Sequence, residues 1–268
     1  DLDQHIGRIL RFQASLNGPL CRPWALGDTT EDTLLPLDAS VGWSSQAILA
    51  VHNHLYPGQA LPFPDAKLDQ KAFWLLSGQQ IPVVKAVKER SVMENYPESG
   101  FVYWRNCVAD SELLLRTGVS QGTHFIQGHM HSDILSLYWR VGEVDLLASS
   151  GTYSYKFQPE EDGNYRDYFC GPSSHSAVLI DSQDPLGALQ QGFRRGDNGL
   201  RVSSQVYGDM SGGTFCLSKV DSDNCYNGFR RGILQLASGD SIVLDIFTEM
   251  QSALQVSTGW QFDELLNV

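Results

Sequence analysis

From about residue 100 onward, the chain is a succession of short β-type segments, and this pattern limits its fold most. Each segment is rich in β-branched or aromatic residues, and Gly, Ser, Asn and Asp separate one from the next. No helical pattern is evident between them. The segments are 101–105, 112–117, 135–141, 145–149, 175–180, 200–207, 214–219, 232–236, 241–247 and 253–257. So many consecutive strands predict a mainly β protein with an antiparallel sandwich of two layers.

The first hundred residues carry a different, helical pattern. Ile6, Ile9 and Leu10 follow helical spacing, and a second amphipathic segment spans about residues 44–56. We therefore predict a short α-helical segment plus linker over residues 1–98 and the β-sandwich over residues 99–268. We also expect that the sandwich is incomplete at its C-terminal end.

The net charge and the hydrophobic pattern of the chain limit the classes of partner that it is expected to bind. The formal net charge is −12, which disfavours nucleic acid and anionic membrane surfaces as main partners. No apolar run approaches the roughly 18 residues of a spanning helix, so no membrane span is predicted. Local arginines can still bind an acidic substrate. The pairs Arg194–Arg195 and Arg230–Arg231 are candidates, although paired arginines in turns are more often solvated.

The five cysteines do not form a recognisable metal or disulfide framework. No two are spaced as a CxxC pair, so a zinc site made of thiolates is not expected. Cys216 and Cys225 are close enough in sequence to bridge a hairpin, but the odd number leaves at least one thiol free. For a chain of 268 residues we favour buried or free thiols.

The segment Gly128–Asp133 (GHMHSD) concentrates groups that bind protons or metals. In an extended backbone, residues two apart point to the same face, so His129, His131 and Asp133 would converge on one spot. That arrangement suits a metal or acid–base site. The alternative is a polar turn that enters a strand.

Two further motifs contain residues that are candidates for a chemical role in addition to packing. Gly151–Tyr155 (GTYSY) places Tyr153 and Tyr155 on one strand face, and local chemistry favours packing with hydrogen-bonded hydroxyls for both. Tyr165–Phe169 (YRDYF) is followed by His175 and an apolar run. Its Arg166 either forms a surface ion pair with Asp167 that holds a turn or faces an anionic ligand.

The segments "GHMHSDILSLYW", "GTYSY" and "YRDYF…SSHSAVLID", in this order and at these intervals, resemble the C-terminal part of the heparinase II/III-like polysaccharide lyases. "LGDTTEDTLLPLD" is similar to the link before the sandwich in that family. "YNGFRRGILQLASGDSIVLDIF" is similar to its later hairpin, in which Asp245 ends a buried strand. The resemblance covers roughly residues 5–260. It implies an (α/α) toroid followed by an antiparallel β-sandwich, with β-elimination of uronate-containing acidic polysaccharide in the cleft between them.

The resemblance also implies roles for individual residues. His129 would lie at the cleft as a catalytic residue, and Arg166 and Tyr153 would bind substrate. In β-elimination, the uronate carboxylate is neutralised, a base removes the C5 proton, and an acid protonates the leaving oxygen. Histidine and tyrosine suit the proton steps because both exchange protons once their pKa is tuned.

For the family's metal site, usually zinc, the resemblance implies His131 and His175 as ligands. The third ligand in the family is an aspartate, and Ser149 occupies that position here. Serine is a poor zinc ligand. Either Asp133 or Asp145 compensates, or the metal is not held tightly.

The same resemblance implies partners and a location. Most catalytic side chains of the family come from the toroid, for which about a hundred residues are too few. The chain is then a fragment or a naturally short relative, and by itself we expect little or no lyase activity. The N-terminal toroid of the same protein, a homodimer and a bacterial periplasmic or secreted location are further expectations.

Two alternative functions remain open. The first is a non-catalytic carbohydrate-binding or interface module derived from the lyase fold. The second is a cupin-like metal-dependent enzyme that uses His129, His131 and His175, although nothing in the sequence supplies the Glu and further His that such a site needs.

Overall fold

The computed structural model describes residues 2–18, 22–29, 46–56, 73–74, 76, 91–118, 129–154, 165–187, 200–248 and 255–262. Contacts divide the chain into two compact units. One comprises Asp1–Trp24 and Thr30–Arg90, and the other comprises Ala25–Thr29 and Ser91–Val268. The short segment Ala25–Thr29 therefore belongs to the second unit, although it lies far from the rest of that unit in sequence.

The first unit contains two described helices, α1 (Leu2–Asn17) and α2 (Gln46–Leu55). They pack through a small apolar cluster that includes Leu10 and Leu49. Helix α1 ends where Gly18 adopts a φ of 60°, the left-handed conformation common just after a helix. Both helices agree with the periodic segments in the sequence. None of the helices described here has the length and apolarity needed to cross a membrane.

The second unit is an antiparallel β-sandwich, as predicted. A five-stranded meander has the order β1-β2-β3-β4-β5, a four-stranded sheet has the order β10-β9-β8-β7, and β6 pairs with β11. The strands are β1 (Val92–Tyr96), β2 (Phe101–Asn106), β3 (Ser111–Arg116), β4 (Leu137–Val141), β5 (Val144–Leu147), β6 (Val178–Ile180), β7 (Arg201–Met210), β8 (Gly213–Asp221), β9 (Arg230–Leu236), β10 (Ser241–Ile246) and β11 (Val256–Thr258).

The main core lies between the two larger sheets. Alternate residues of β2 and β3 face alternate residues of β8 and β9, as the two-residue period of strands requires. Trp104 is 1% exposed, and its Nε1 donates a hydrogen bond of 3.0 Å to Oγ1 of Thr214 on the opposite sheet. The shared core members include Val102, Trp104, Leu113, Leu115, Cys216, Val220 and Ile233.

Two elements differ from the sequence interpretation. Strand β1 lies in the stretch assigned to the linker, because Tyr96–Gly100 forms a turn and β1 pairs with β2 across it. A helix, α3 (Tyr165–Cys170), interrupts the region in which only strands were predicted. Six residues are too short to establish a helical period, so the pattern did not reveal it.

Candidate functional site

A buried carboxylate, that of Asp28, is the centre of the best-defined polar cluster. Its side chain is 0% exposed and receives a two-bond contact from Arg166, with Nη1 3.1 Å from Oδ1 and Nη2 2.5 Å from Oδ2. Nε2 of His131 lies 3.1 Å from Oδ1, and Nδ1 of His129 lies 3.2 Å from Oδ2. Each oxygen thus has two polar neighbours, which fills the usual capacity of a carboxylate.

These contacts determine the charge of Asp28. Burial raises the pKa of this carboxyl, but hydrogen bonds from His131 and Arg166, the positive charge of Arg166 and the bond from His129 lower it more. The net result is a pKa well below the ordinary aspartate value. Asp28 is therefore ionised at neutral pH, and the paired Arg166 makes its burial tolerable.

The backbone around Asp28 is docked against the sandwich. Its amide donates a 3.0 Å hydrogen bond to the carbonyl of His129. Gly27 has a φ of 62°, and a Cβ there would lie 2.5 Å from the same carbonyl oxygen, so the close approach requires glycine. Thr29 donates its amide to Oγ1 of Thr152 at 2.7 Å, and that hydroxyl donates back to the Thr29 carbonyl at 3.1 Å. The Gly151–Tyr155 motif thus has a structural role in holding this segment.

The two histidines of the HxH motif converge, whereas the aspartate of the motif does not. His129 has a 66% exposed side chain and His131 a 0% exposed one, and both contact Asp28. Asp133 instead accepts a 3.0 Å hydrogen bond from Tyr138 and lies 3.7 Å from Arg116. The segment after His131 turns rather than continuing as a strand, which directs Asp133 elsewhere. The predicted convergence of all three side chains was wrong in this respect.

His175 lies beside His131, so the predicted metal pair is together. Both are 1% exposed, and their ring centroids are 5.2 Å apart. Nδ1 of His131 is buried and has no hydrogen-bond partner among the described residues. A buried polar atom without a partner is costly, and a bound ion is one way to satisfy it. The donor chemistry at this point therefore fits zinc, for which neutral imidazole is a typical ligand.

The expected substitutes for the third ligand are engaged elsewhere. Asp133 is committed to Tyr138 as described, and Asp145 accepts a 2.5 Å bond from Nε of Arg140. Cys170 is the alternative that the sequence interpretation missed. One potential ligand atom from each of Asp28, His131 and Cys170 lies within 4.8 Å of the others. Because Arg166 already occupies the Asp28 oxygens, the Cys170 thiolate is the better zinc ligand of the two.

The two predicted substrate-binding residues, Tyr153 and Arg166, differ in their exposure to solvent. Tyr153 is 61% exposed, has a φ of 62°, and stacks on Phe169 with ring centroids 5.0 Å apart. It does not pack into the core, contrary to what local chemistry favoured. Arg166 is 2% exposed and bonded to Asp28 and to the Ser154 carbonyl, so substrate binding by its guanidinium stays a prediction. Tyr155 and the pair Arg194–Arg195 lie outside the described residues.

Arg231 is a buried connection between the four-stranded sheet and the loops of the site. It is 0% exposed and binds both oxygens of Asp245, at 2.7 and 2.9 Å. Its Nη1 also donates to the carbonyls of Leu135 and Ser176, at 2.7 and 2.9 Å. These carbonyls follow His131 and His175 closely in sequence. The expectation of a solvated turn arginine was wrong for Arg231, because Arg231 lies in β9 and points into the sandwich.

Comparison with known families agrees with this architecture. Residues 88–215 match the family model described as heparinase II/III-like, C-terminal. This part of the chain is similar to heparinase II/III-like C-terminal domains. The matched range contains both histidines of the HxH motif, Arg166 and His175, but ends before β9 and excludes Asp28. No curated protein sequence matches the chain significantly.

Solved structures of heparinases share the fold. A heparan sulfate lyase, HepC, from Pedobacter heparinus matches with 14% identity and a TM-score of 0.55, over 90% of this chain and 32% of its own. A structure described as heparinase III matches with 12% identity and a TM-score of 0.53, over 91% of this chain and 33% of its own. This chain thus spans about a third of the length of these proteins.

The depressed pKa of Asp28 predicts how stability depends on pH. Since the folded pKa lies below the unfolded value of about 3.9, Asp28 stabilises the fold above that pH, and this contribution is lost as the pH falls toward the folded pKa. Asp28→Asn removes the charge and should cost about 3 to 5 kcal/mol near neutral pH. In urea unfolding, the difference between wild type and variant should shrink from about pH 5 to about pH 3. A difference that does not change with pH would contradict this assignment.

The contacts of Arg231 predict that shortening its side chain greatly lowers the free energy of unfolding. Arg231→Met leaves the partly buried Asp245 carboxylate without its guanidinium and removes one donor from each of two carbonyls, which should cost about 3 to 5 kcal/mol in urea unfolding. Arg230→Met, one residue earlier and only half-buried, is the matched control and should cost about 1 kcal/mol or less. Equal losses in the two variants would show that Arg231 does not hold the site loops.

Proposed function

We propose that this domain is the sandwich part of a polysaccharide lyase that cleaves uronate-containing acidic polysaccharide by β-elimination. The observation that carries the proposal is the division of the HxH motif. Within a heparinase-like domain, His131 is buried while His129 is exposed, and a buried aspartate contacts both. An exposed, oriented imidazole is what a proton-transfer step at a bound sugar requires.

His129 is the proposed catalytic group of this domain. Its exposed ring would accept the C5 proton of the uronate or protonate the leaving glycosidic oxygen. The heparinase III structures are about three times as long as this chain, and the family resemblance assigns the remaining catalytic side chains to a helical toroid. By itself, the 268-residue chain is therefore expected to show little or no lyase activity.

Zinc is a proposed cofactor, held by His131, His175 and Cys170. When bound, it would add positive charge to a site that acts on an anionic substrate. Asp28 would then not ligate the metal but orient His131, as carboxylates beyond the ligands commonly do. A homodimer and a periplasmic or secreted location remain expectations from the family resemblance.

A non-catalytic carbohydrate-binding function is the second candidate, because of one observation. Tyr153, Tyr165 and Tyr168 are each about half exposed or more and are linked through ring contacts with one another or with Phe169. Exposed tyrosines combine an apolar face with a polar tip, which suits contact with a sugar ring. No observation of this kind favours the cupin-like alternative.

Binding and product assays separate the two candidates. The 268-residue chain should bind uronate oligosaccharides more tightly than neutral oligosaccharides of equal length, measured by calorimetry. In a protein that also contains the toroid, His129→Ala should lower the rate of unsaturated uronate formation by about 10²- to 10⁴-fold. Tyr153→Ala is the comparison variant and should weaken binding instead.

Undiminished product formation by His129→Ala would refute the lyase role of this residue. Binding without product, in the protein with the toroid, would support the second candidate. A clear absorbance increase from unsaturated product, with the 268-residue chain alone, would overturn the expectation that this chain is inactive by itself.

The zinc proposal is tested without activity. Metal analysis of the purified chain should find about one zinc per chain, and cobalt substitution should give the thiolate-to-cobalt charge-transfer band expected if Cys170 is a ligand. His131→Ala should lose the metal, and Cys170→Ser should lose the band. Cys225→Ser is the matched control, since Cys225 contacts the Ile180 carbonyl and Gln183 instead. Absence of metal, or equal metal in His131→Ala, would contradict the proposal.

A further inference from the structure

The contacts of Asp28 indicate which ring nitrogens of its two histidine partners carry a hydrogen. An ionised carboxylate only accepts hydrogen bonds, so every nitrogen at hydrogen-bond distance from it must carry a hydrogen. Asp28 faces Nδ1 of His129 and Nε2 of His131. The same carboxylate therefore contacts chemically different nitrogens on two histidines that are two residues apart.

Each contact determines the state of the opposite ring nitrogen. In a neutral imidazole, one nitrogen is a donor and the other is an acceptor. If Nδ1 of His129 donates to Asp28, then Nε2 of His129 carries the lone pair. If Nε2 of His131 donates to Asp28, then Nδ1 of His131 carries it. That second atom is the buried nitrogen without a hydrogen-bond partner among the described residues.

We propose that Asp28 is a positioning residue that fixes opposite tautomers on the two histidines of the HxH motif. His129 is held as the Nδ1–H form, so that Nε2 carries the lone pair of its ring. His131 is held as the Nε2–H form, with Nδ1 as a buried electron-pair donor next to His175. The tautomer assignment stands on the contacts of Asp28, and only its catalytic consequence rests on the proposed lyase function.

Arg166 makes this assignment rigid. Its two terminal nitrogens bind the two oxygens of Asp28 separately, which fixes the plane of the carboxylate. Nη1 of Arg166 also donates 3.0 Å to the carbonyl of Ser154, which holds the guanidinium in place. The carboxylate therefore cannot rotate freely to exchange its partners. Helix α3, which carries Arg166, thus acts on both histidines through Asp28.

The two histidines differ in their exposure to solvent, and this difference suits them to different roles. His129 has a side chain that is 66% exposed, so its ring can be reached from solvent. His131 has a side chain that is 0% exposed, so its lone pair is accessible only to a group inside the domain. An exposed imidazole suits proton transfer, and a buried ring beside a second imidazole suits a metal ion. One carboxylate thereby assigns two functions within three residues.

The experiment is nitrogen NMR of the full 268-residue chain with ¹⁵N-labelled histidine, at a fixed pH about two units above the usual histidine pKa of about 6.5. Long-range ¹H–¹⁵N correlations distinguish protonated from unprotonated ring nitrogens. The expected result is a protonated Nδ1 with an unprotonated Nε2 for His129, and the reverse for His131. Any other pattern, including the same tautomer on both rings or a doubly protonated ring at that pH, overturns the proposal.

Two variants test whether Asp28 is the residue that fixes the two tautomers. Asp28→Asn should convert His129 to a mixture of tautomers, whereas Asp209→Asn, an exposed aspartate on β7, should leave both rings unchanged. Unchanged tautomers in a folded Asp28→Asn protein would overturn the role of Asp28. If Asp28→Asn does not fold, the wild-type spectrum alone decides, because the two tautomers are read directly from it. None of these spectra requires activity, so failure of the lyase proposal and failure of this one are distinguishable.

Discussion

One ionised and buried carboxylate organises the described site. Asp28 is stable in that environment only because Arg166 contacts both of its oxygens and two imidazoles complete the set. The arrangement links four parts of the chain: the Ala25–Thr29 segment, the HxH turn, the Gly151–Tyr155 motif and helix α3. Removing Arg166 would leave the buried charge uncompensated, and removing either imidazole would take a donor from one carboxylate oxygen, so these parts depend on one another.

The sandwich supplies the rigidity that this arrangement needs. The two sheets meet in a core around Trp104, and Arg231 extends from β9 to the backbone beside both buried histidines. The backbone that follows His131 and His175 is thus held by hydrogen bonds from the Arg231 side chain as well as by local turns. A site with an exposed His129 remains precise because His131 and Arg166 are buried and both bind the buried carboxylate of Asp28.

The strands were predictable because their two-residue period and turn residues are local properties of the sequence. The HxH motif and His175 were predictable from their residue types together with the family resemblance. Asp28 was not, since it lies about a hundred residues before the histidines and only the fold brings them together. Cys170 was missed because a single cysteine carries no spacing signal. The serine at position 149, where the family has an aspartate ligand, suggested Asp133 or Asp145 as a substitute, but these carboxylates bind Tyr138 and Arg140 instead.

A crystal structure of the domain with a short uronate oligosaccharide tests the central claim most directly. We expect the uronate to lie against the exposed side chain of His129, while Asp28 keeps its contacts with Arg166 and both histidines beneath it. The claim is contradicted if the oligosaccharide binds away from His129. It is also contradicted if Asp28 is hydrated and His129 and His131 point away from it.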